Sequence, residues 1–108
     1  MCDYLHVRGF RVTARNRRLG PLEIDIIAEK GPLLVVVEVR TRAAASYDTG
    51  LSSITAEKRR NLLRATRRLW SSELRTRREI ERVRIDVAAV TMDEHGVTIT
   101  YAEGAIVG

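Results

Sequence analysis

The run LLVVVEV, residues 33–39, is apolar at every position but one and is entered through Gly31-Pro32. So short and so continuously apolar a segment, rich in Val, reads as a β-strand covered on both faces. That reading commits the chain to a layered fold and makes Glu38 a half-buried carboxylate. Residues 22–28 (LEIDIIA) precede it as a second Ile-rich strand, so the two predict an antiparallel hairpin about a loop of roughly four residues at 30–33. In that register Asp25 falls opposite Glu38, or one diagonal away, with Cβ atoms about 5–8 Å apart. Side chains two apart on a strand share a face, which groups Glu23 with Asp25 and Glu38 with Arg40.

The remaining segments build around this hairpin. Residues 2–8 read as the tail of a helix packing Tyr4, Leu5 and Val7, closed by Gly9. Residues 10–16 alternate Phe10, Val12, Ala14 against Arg11, Thr13, Arg15, the pattern of a half-buried strand, and the RRLGP run then turns the chain. Residues 43–54 lack a sustained period and read as a loop. Thr55 is an N-cap for a long helix with Leu62, Leu63, Thr66, Leu69 and Trp70 on its apolar side, running on through Arg75 towards Glu81. Strands follow at 83–90 and 97–101, joined by a turn at Asp93–Gly96. Helix, three strands, long helix and two strands give an α/β (α+β) domain on one sheet. At 108 residues and 44% hydrophobic, the chain fits a single domain over 1–108.

Composition excludes several classes. No stretch approaches the roughly 18–20 apolar residues of a membrane span, no secretion signal is evident, and a cytoplasmic location is the expectation. Cys2 is the only cysteine, so an internal disulfide is impossible. His6 and His95 stand alone, the serines lack an adjacent His/Asp pattern, and the glycines form no phosphate loop. Residues 55–84 hold eleven Lys/Arg against four Asp/Glu, so basicity is concentrated in the long helix and the charged segment after it. Arginine's planar fork suits phosphate, though a solvated basic helix is the ordinary fate of such a run. Aromatics are scarce; Trp70 is expected in the core, and Tyr47 in the loop is the better stacking candidate. Backbone contacts by Arg42, Lys58, Arg59, Arg60 and Arg64 are the natural mode of nucleic-acid binding.

Two carboxylates on an apolar sheet repel each other and lose hydration, which favours a cation between them. Mg²⁺ (or Mn²⁺) held by Asp25, Glu38 and the Val39 carbonyl would leave an open face for water and a phosphate oxygen. Arg40 would add positive charge where the transition state gains negative charge. Those parts describe phosphodiester hydrolysis. The competing reading is an edge-strand ion pair between Glu38 and Arg40 with no metal.

The blocks GFRVTARNRR, LEIDIIAEKGPLLVVVEVRTR, ITAEKRRNLLRATRRLW and RIDVAAV resemble successive blocks of the YraN-like, endonuclease-like family. The family is similar to the PD-(D/E)XK nuclease superfamily, which includes Holliday-junction resolvases. This resemblance implies a restriction-endonuclease-like αβββαβ core with a mixed central sheet. It implies Asp25 as the motif aspartate, Glu38 and Arg40 as the (D/E)XK pair, Lys58 as a further site residue, and DNA, branched DNA included, as substrate. Asp86 matches a recurrent family aspartate, for which a structural hydrogen bond is expected. Arg40 stands where relatives carry Lys and cannot act as a base. The resemblance also implies a first helix beginning earlier, with a glutamate that can join the site, so that either this helix is truncated here or the protein lacks that ligand. The alternatives are a nucleic-acid-binding module that has lost cleavage and a protein-interaction domain. Nucleases of the superfamily often pair, which makes a homodimer an expectation too.

Overall fold

In the computed structural model the described residues are 1–43 and 55–106, with backbone alone described at 42 and 43. They form helix α1 (Cys2–Val7), strands β1 (Arg11–Leu19), β2 (Leu22–Lys30) and β3 (Leu33–Ala43), helix α2 (Ala56–Leu69), and strands β4 (Arg82–Asp93) and β5 (Gly96–Ile106). The strands make one mixed sheet in the order β1-β2-β3-β4-β5, antiparallel except for the β3–β4 pair. A parallel neighbour requires a crossover, and α2 lies in that connection.

The β3 run is buried on both faces as its sequence demands. Leu34 and Val36 pack under α2 with Leu62, Ala65 and Leu69, while Val35 and Val37 pack with Leu5 of α1, Ile26, Ala28 and Ala88. The β1–β2 and β2–β3 hairpins each turn on two residues, since Leu19 pairs with Leu22 and Lys30 with Leu33. Gly20 and Gly31 take φ of +66° and +58° there, a region open to glycine without strain. The β2–β3 loop is therefore tighter than the expected four residues, and β1 continues through Arg17-Arg18 rather than turning at them.

Strict alternation fails at two places in the first hairpin. A bulge between Val12 and Ala14 leaves Val12 on the α1 side and Ala14 on the α2 side, so Phe10, Val12 and Ala14 do not share one face. At Asn16, whose φ is +51°, the pair of strands bends again; Ile24 joins the α2-side core and Ile26 the α1-side core although they are two residues apart. Asp25 sits at that crossover.

The helix ends also differ from expectation. Thr55 caps α2 as predicted, its hydroxyl accepting the Lys58 N–H at 3.1 Å. The buried line is Leu62, Ala65 and Leu69; Leu63 and Thr66 lie on its flank, and Trp70 is 41% exposed rather than packed in the core. Helical structure ends with a π-helical turn, Trp70–Leu74, and does not reach Glu81. Instead Arg77 turns back to hold buried Glu29 through two bonds of 2.9 and 2.8 Å, Ile80 enters the core, and the Glu81 and Arg82 amides donate to the Pro32 carbonyl. In α1, Leu5 is fully buried but Val7 is 83% exposed. Among the described residues no helix is long and apolar enough to cross a membrane.

Candidate metal centre

The β2–β3 ladder runs from Lys30↔Leu33 to Ile26↔Val37, and its next step would set Asp25 against Glu38. The Asp25 carboxylate enters the ladder there: its Oδ2 accepts the Val39 N–H at 2.9 Å. In a strand the N–H and C=O of one residue leave on the same side, so the Val39 carbonyl faces the same gap. The sequence pattern points to the Val39 carbonyl; the fold adds that the Val39 amide fixes Asp25.

Glu38 is 3% exposed and lies on the α2 side of β3, where Lys58 Nζ approaches its Oε1 to 3.1 Å. Burial, followed by the charge of Asp25, raises the Glu38 pKa above its usual value; Lys58 opposes the shift, and hydrogen bonding with Asp25 adds to it. The two acids therefore converge closely enough for the Asp25 charge to disfavour the ionised form of Glu38. This is the donor set a hard divalent cation fits: two carboxylates whose repulsion it would cancel, with a carbonyl beside them. Among the described residues no group of three or more His, Cys, Asp or Glu forms a richer metal cluster. A cleft of about 390 Å³ reaches Asp25, and Arg15 and Asn16 line it. Neither was singled out from sequence, although an Asn interrupting an alternating strand is a signal for left-handed backbone.

The other expected residues separate. Arg40 lies two residues beyond Glu38 on the same strand, half-buried and level with Ala89 of β4. Glu23 is not at the site; its carboxylate faces Arg18 at 3.6 Å near the surface. Lys58 joins Glu38, whereas Arg59, Arg60 and Arg64 are exposed around α2. Arg60, Arg64 and Arg67 recur at helical spacing on the side away from Leu62, Ala65 and Leu69, so they face outward from the sheet. The Arg42 side chain and Tyr47 lie outside the described residues. Asp86 is fully buried and structural: it accepts from Arg84 through two bonds of 2.8 and 2.9 Å, from the Tyr101 hydroxyl at 2.6 Å and from the Gly104 N–H at 2.8 Å. Burial and Asp86 together push the Tyr101 pKa far up, leaving its hydroxyl a permanent donor.

Residues 1–90, which include Asp25, Glu38, Arg40, Lys58 and Asp86, match the family described as Uncharacterised protein family UPF0102. The chain belongs to the UPF0102 family. UPF0102 is the YraN-like, endonuclease-like group that its sequence blocks resemble. A UPF0102 protein of Sorangium cellulosum is 47% identical over 88 residues, covering 82% of this chain and 61% of that protein. UPF0102 proteins of Kineococcus radiotolerans and Methylococcus capsulatus are 39% and 38% identical, covering 89% and 96% of this chain and 78% and 81% of theirs. Against several other UPF0102 relatives the aligned part is about half of the relative's length or less, 35% in Oleidesulfovibrio alaskensis and 52% in Symbiobacterium thermophilum.

Proposed function

We propose that this UPF0102 protein is a divalent-metal-dependent DNA nuclease of the PD-(D/E)XK kind, with branched or otherwise structured DNA as the substrate class. The observation that carries the reading is the convergence of Asp25 and Glu38 where β2 and β3 meet, with Lys58 brought to Glu38 from α2. The order of strands and helices supports it, because the restriction-endonuclease-like core has the same succession of one helix, three strands, one helix and a strand.

Asp25 and Glu38 would hold Mg²⁺ or Mn²⁺, and when bound such an ion supplies Lewis acidity to a phosphoryl oxygen and neutralises charge on the leaving group. The Val39 amide keeps the Asp25 carboxylate oriented. Burial of Glu38 against the sheet excludes competing water from it, which strengthens its electrostatic coupling to anything bound nearby. Lys58 and Arg40 place positive charge on the α2 side of β3, where a phosphodiester gains negative charge during displacement. Arg40 would serve charge stabilisation only, since a guanidinium cannot act as the base.

One observation favours a second reading, a DNA-binding module without cleavage: the Lys58 ammonium already pairs with Glu38 and partly supplies the positive charge a metal would bring. A single assay separates the two. Plasmid, linear duplex, single-stranded and four-way-junction DNA are incubated with Mg²⁺, Mn²⁺ or EDTA, using the native chain, Asp25→Ala and Glu38→Ala. Metal-dependent cutting that disappears in both variants is the expected result. DNA binding with no cutting under any metal replaces the nuclease with the binding module.

A further inference from the structure

We propose that the C-terminal end of α2 carries a second site, separate from Asp25 and Glu38, that holds an unstacked nucleotide of single-stranded DNA: its base on Trp70 and its phosphate on Arg67. The proposal rests on the DNA-binding part of the function proposed above and not on cleavage.

The site arises from how the helix ends. Leu69 and Leu74 are both buried, yet residues five apart on an α-helix point about 140° away from each other. The π-helical turn Trp70–Leu74, closed by the Arg75 N–H donating to the Trp70 carbonyl at 3.0 Å, widens the coil and brings both leucines to the core. π turns of this kind recur at functional sites. Trp70, at the start of the turn, is left on the flank, 41% exposed as a residue. Packing the two leucines thus leaves the one tryptophan of the chain partly exposed at the surface, outside the buried core.

Its surroundings are cationic. Trp70, Arg67 and Ser71 border a recess of about 410 Å³, and Arg67 and Ser71 also border an adjoining cleft of about 650 Å³ with Arg18 and Arg68. Arg68 is fixed at the cleft by donating to the Leu19 carbonyl at 3.2 Å, and Arg18 faces Glu23 at 3.6 Å. Arg67 has no ion pair among the described residues. An exposed indole beside guanidinium and hydroxyl donors is the chemistry that binds single strands, with the base stacked and the phosphate held by charge-assisted hydrogen bonds. A paired duplex hides its base faces and offers Trp70 nothing to stack on. Trp70 lies twelve positions after Lys58, about 18 Å along a helix, or at most about five 3.4 Å steps of a stacked strand. DNA spanning both sites would therefore be unpaired near Trp70 and engaged at the carboxylates no more than about five nucleotides away, which selects duplex-to-single-strand boundaries.

Because Trp70 is the only tryptophan, its own emission reports the contact. The native chain in EDTA and low salt is titrated with oligo(dT) of about 12 nucleotides and with a duplex of equal length, while anisotropy of labelled strands measures affinity. Oligo(dT) should quench the emission strongly and the duplex weakly. Trp70→Leu should weaken single-strand binding about five-fold or more with duplex binding little changed. Trp70→Phe should restore most of the loss, and Arg67→Ala should weaken both ligands. Single-strand binding that leaves the emission unchanged, Trp70→Leu binding oligo(dT) as tightly as the native chain, or no binding to either DNA would overturn the proposal. Quenching in a protein that cuts nothing keeps this site and removes the nuclease, whereas metal-dependent cutting without quenching does the reverse.

Discussion

Glu38 is protonated more readily in the folded chain than in the unfolded one because burial and Asp25 disfavour its charge. A folded state that binds a proton more tightly gains stability that is complete below the unfolded value, 4.5, and is lost as pH rises through the raised folded value. Measured in EDTA, the Tm of Glu38→Gln should accordingly gain on that of the native protein as pH rises from 4 to 8. Millimolar Mg²⁺ should raise the native Tm most at the alkaline end and leave Glu38→Gln and Asp25→Asn unmoved. A Mg²⁺ shift that survives in both variants would place the metal elsewhere. Asp86 gives the contrasting case of a buried carboxylate whose partners are all protein groups. Asp86→Ala strands the Arg84 guanidinium, the Tyr101 hydroxyl and the Gly104 amide, at a cost of about 3–5 kcal/mol in urea unfolding. Tyr101→Phe removes one of those bonds and should cost about 1 kcal/mol.

At the scale of elements, the residues lining α2 separate packing from mere exposure. Leu62→Ala empties a fully enclosed position and should cost about 2–5 kcal/mol, while Trp70→Ala, on the flank, should cost much less by the same urea measurement. Arg77 belongs to the segment after the π turn, where it holds Glu29 and depresses that carboxyl's pKa. The stabilisation it lends is present above the unfolded value of 4.5 and is lost as pH falls through the folded one. Arg77→Ala should therefore speed amide exchange at Ile80, Glu81 and Arg82 while β4 beyond Ile85 stays protected. The order of elements was legible because periodicity and turn residues are local signals: Gly31-Pro32 ends β2, Thr55 caps α2, and the Val run of β3 admits one burial pattern. The features that escaped depend on partners distant in sequence. The bulge at Thr13 and the bend at Asn16 arise from how β1 and β2 fit together, and they undo the face assignments for Ala14 and Glu23. Arg77 reverses the chain because a buried Glu29 needs it, a need invisible in the charged run RTRRE. Likewise the spacing placed Asp25 near Glu38, but only the register shows that the Val39 amide holds it.

For the molecule as a whole, the division of charge decides how DNA would approach under the proposed function. The net charge is +5, yet Lys58 is turned inward to Glu38 while Arg60, Arg64 and Arg67 project outward on one line of α2. A strand lying along that line would meet a row of guanidiniums at the surface and reach the carboxylates at the N-terminal end of the helix. Such contacts release counterions, so affinity for duplex DNA should fall linearly on a plot of log K against log salt. Arg60→Ala and Arg64→Ala should each weaken binding about equally for unrelated sequences and lower that slope by about 1. Lys58→Ala should behave differently, because its ammonium neutralises Glu38 and not a phosphate on the outer line. The slope should hardly change, while Glu38, deprived of its partner, becomes still harder to ionise and its response to Mg²⁺ weakens at neutral pH. If Lys58→Ala lowered the slope as much as the two arginine variants and left the Mg²⁺ response intact, Lys58 would belong to the DNA-facing surface, and the separation of the outer basic line from the carboxylate site would fail.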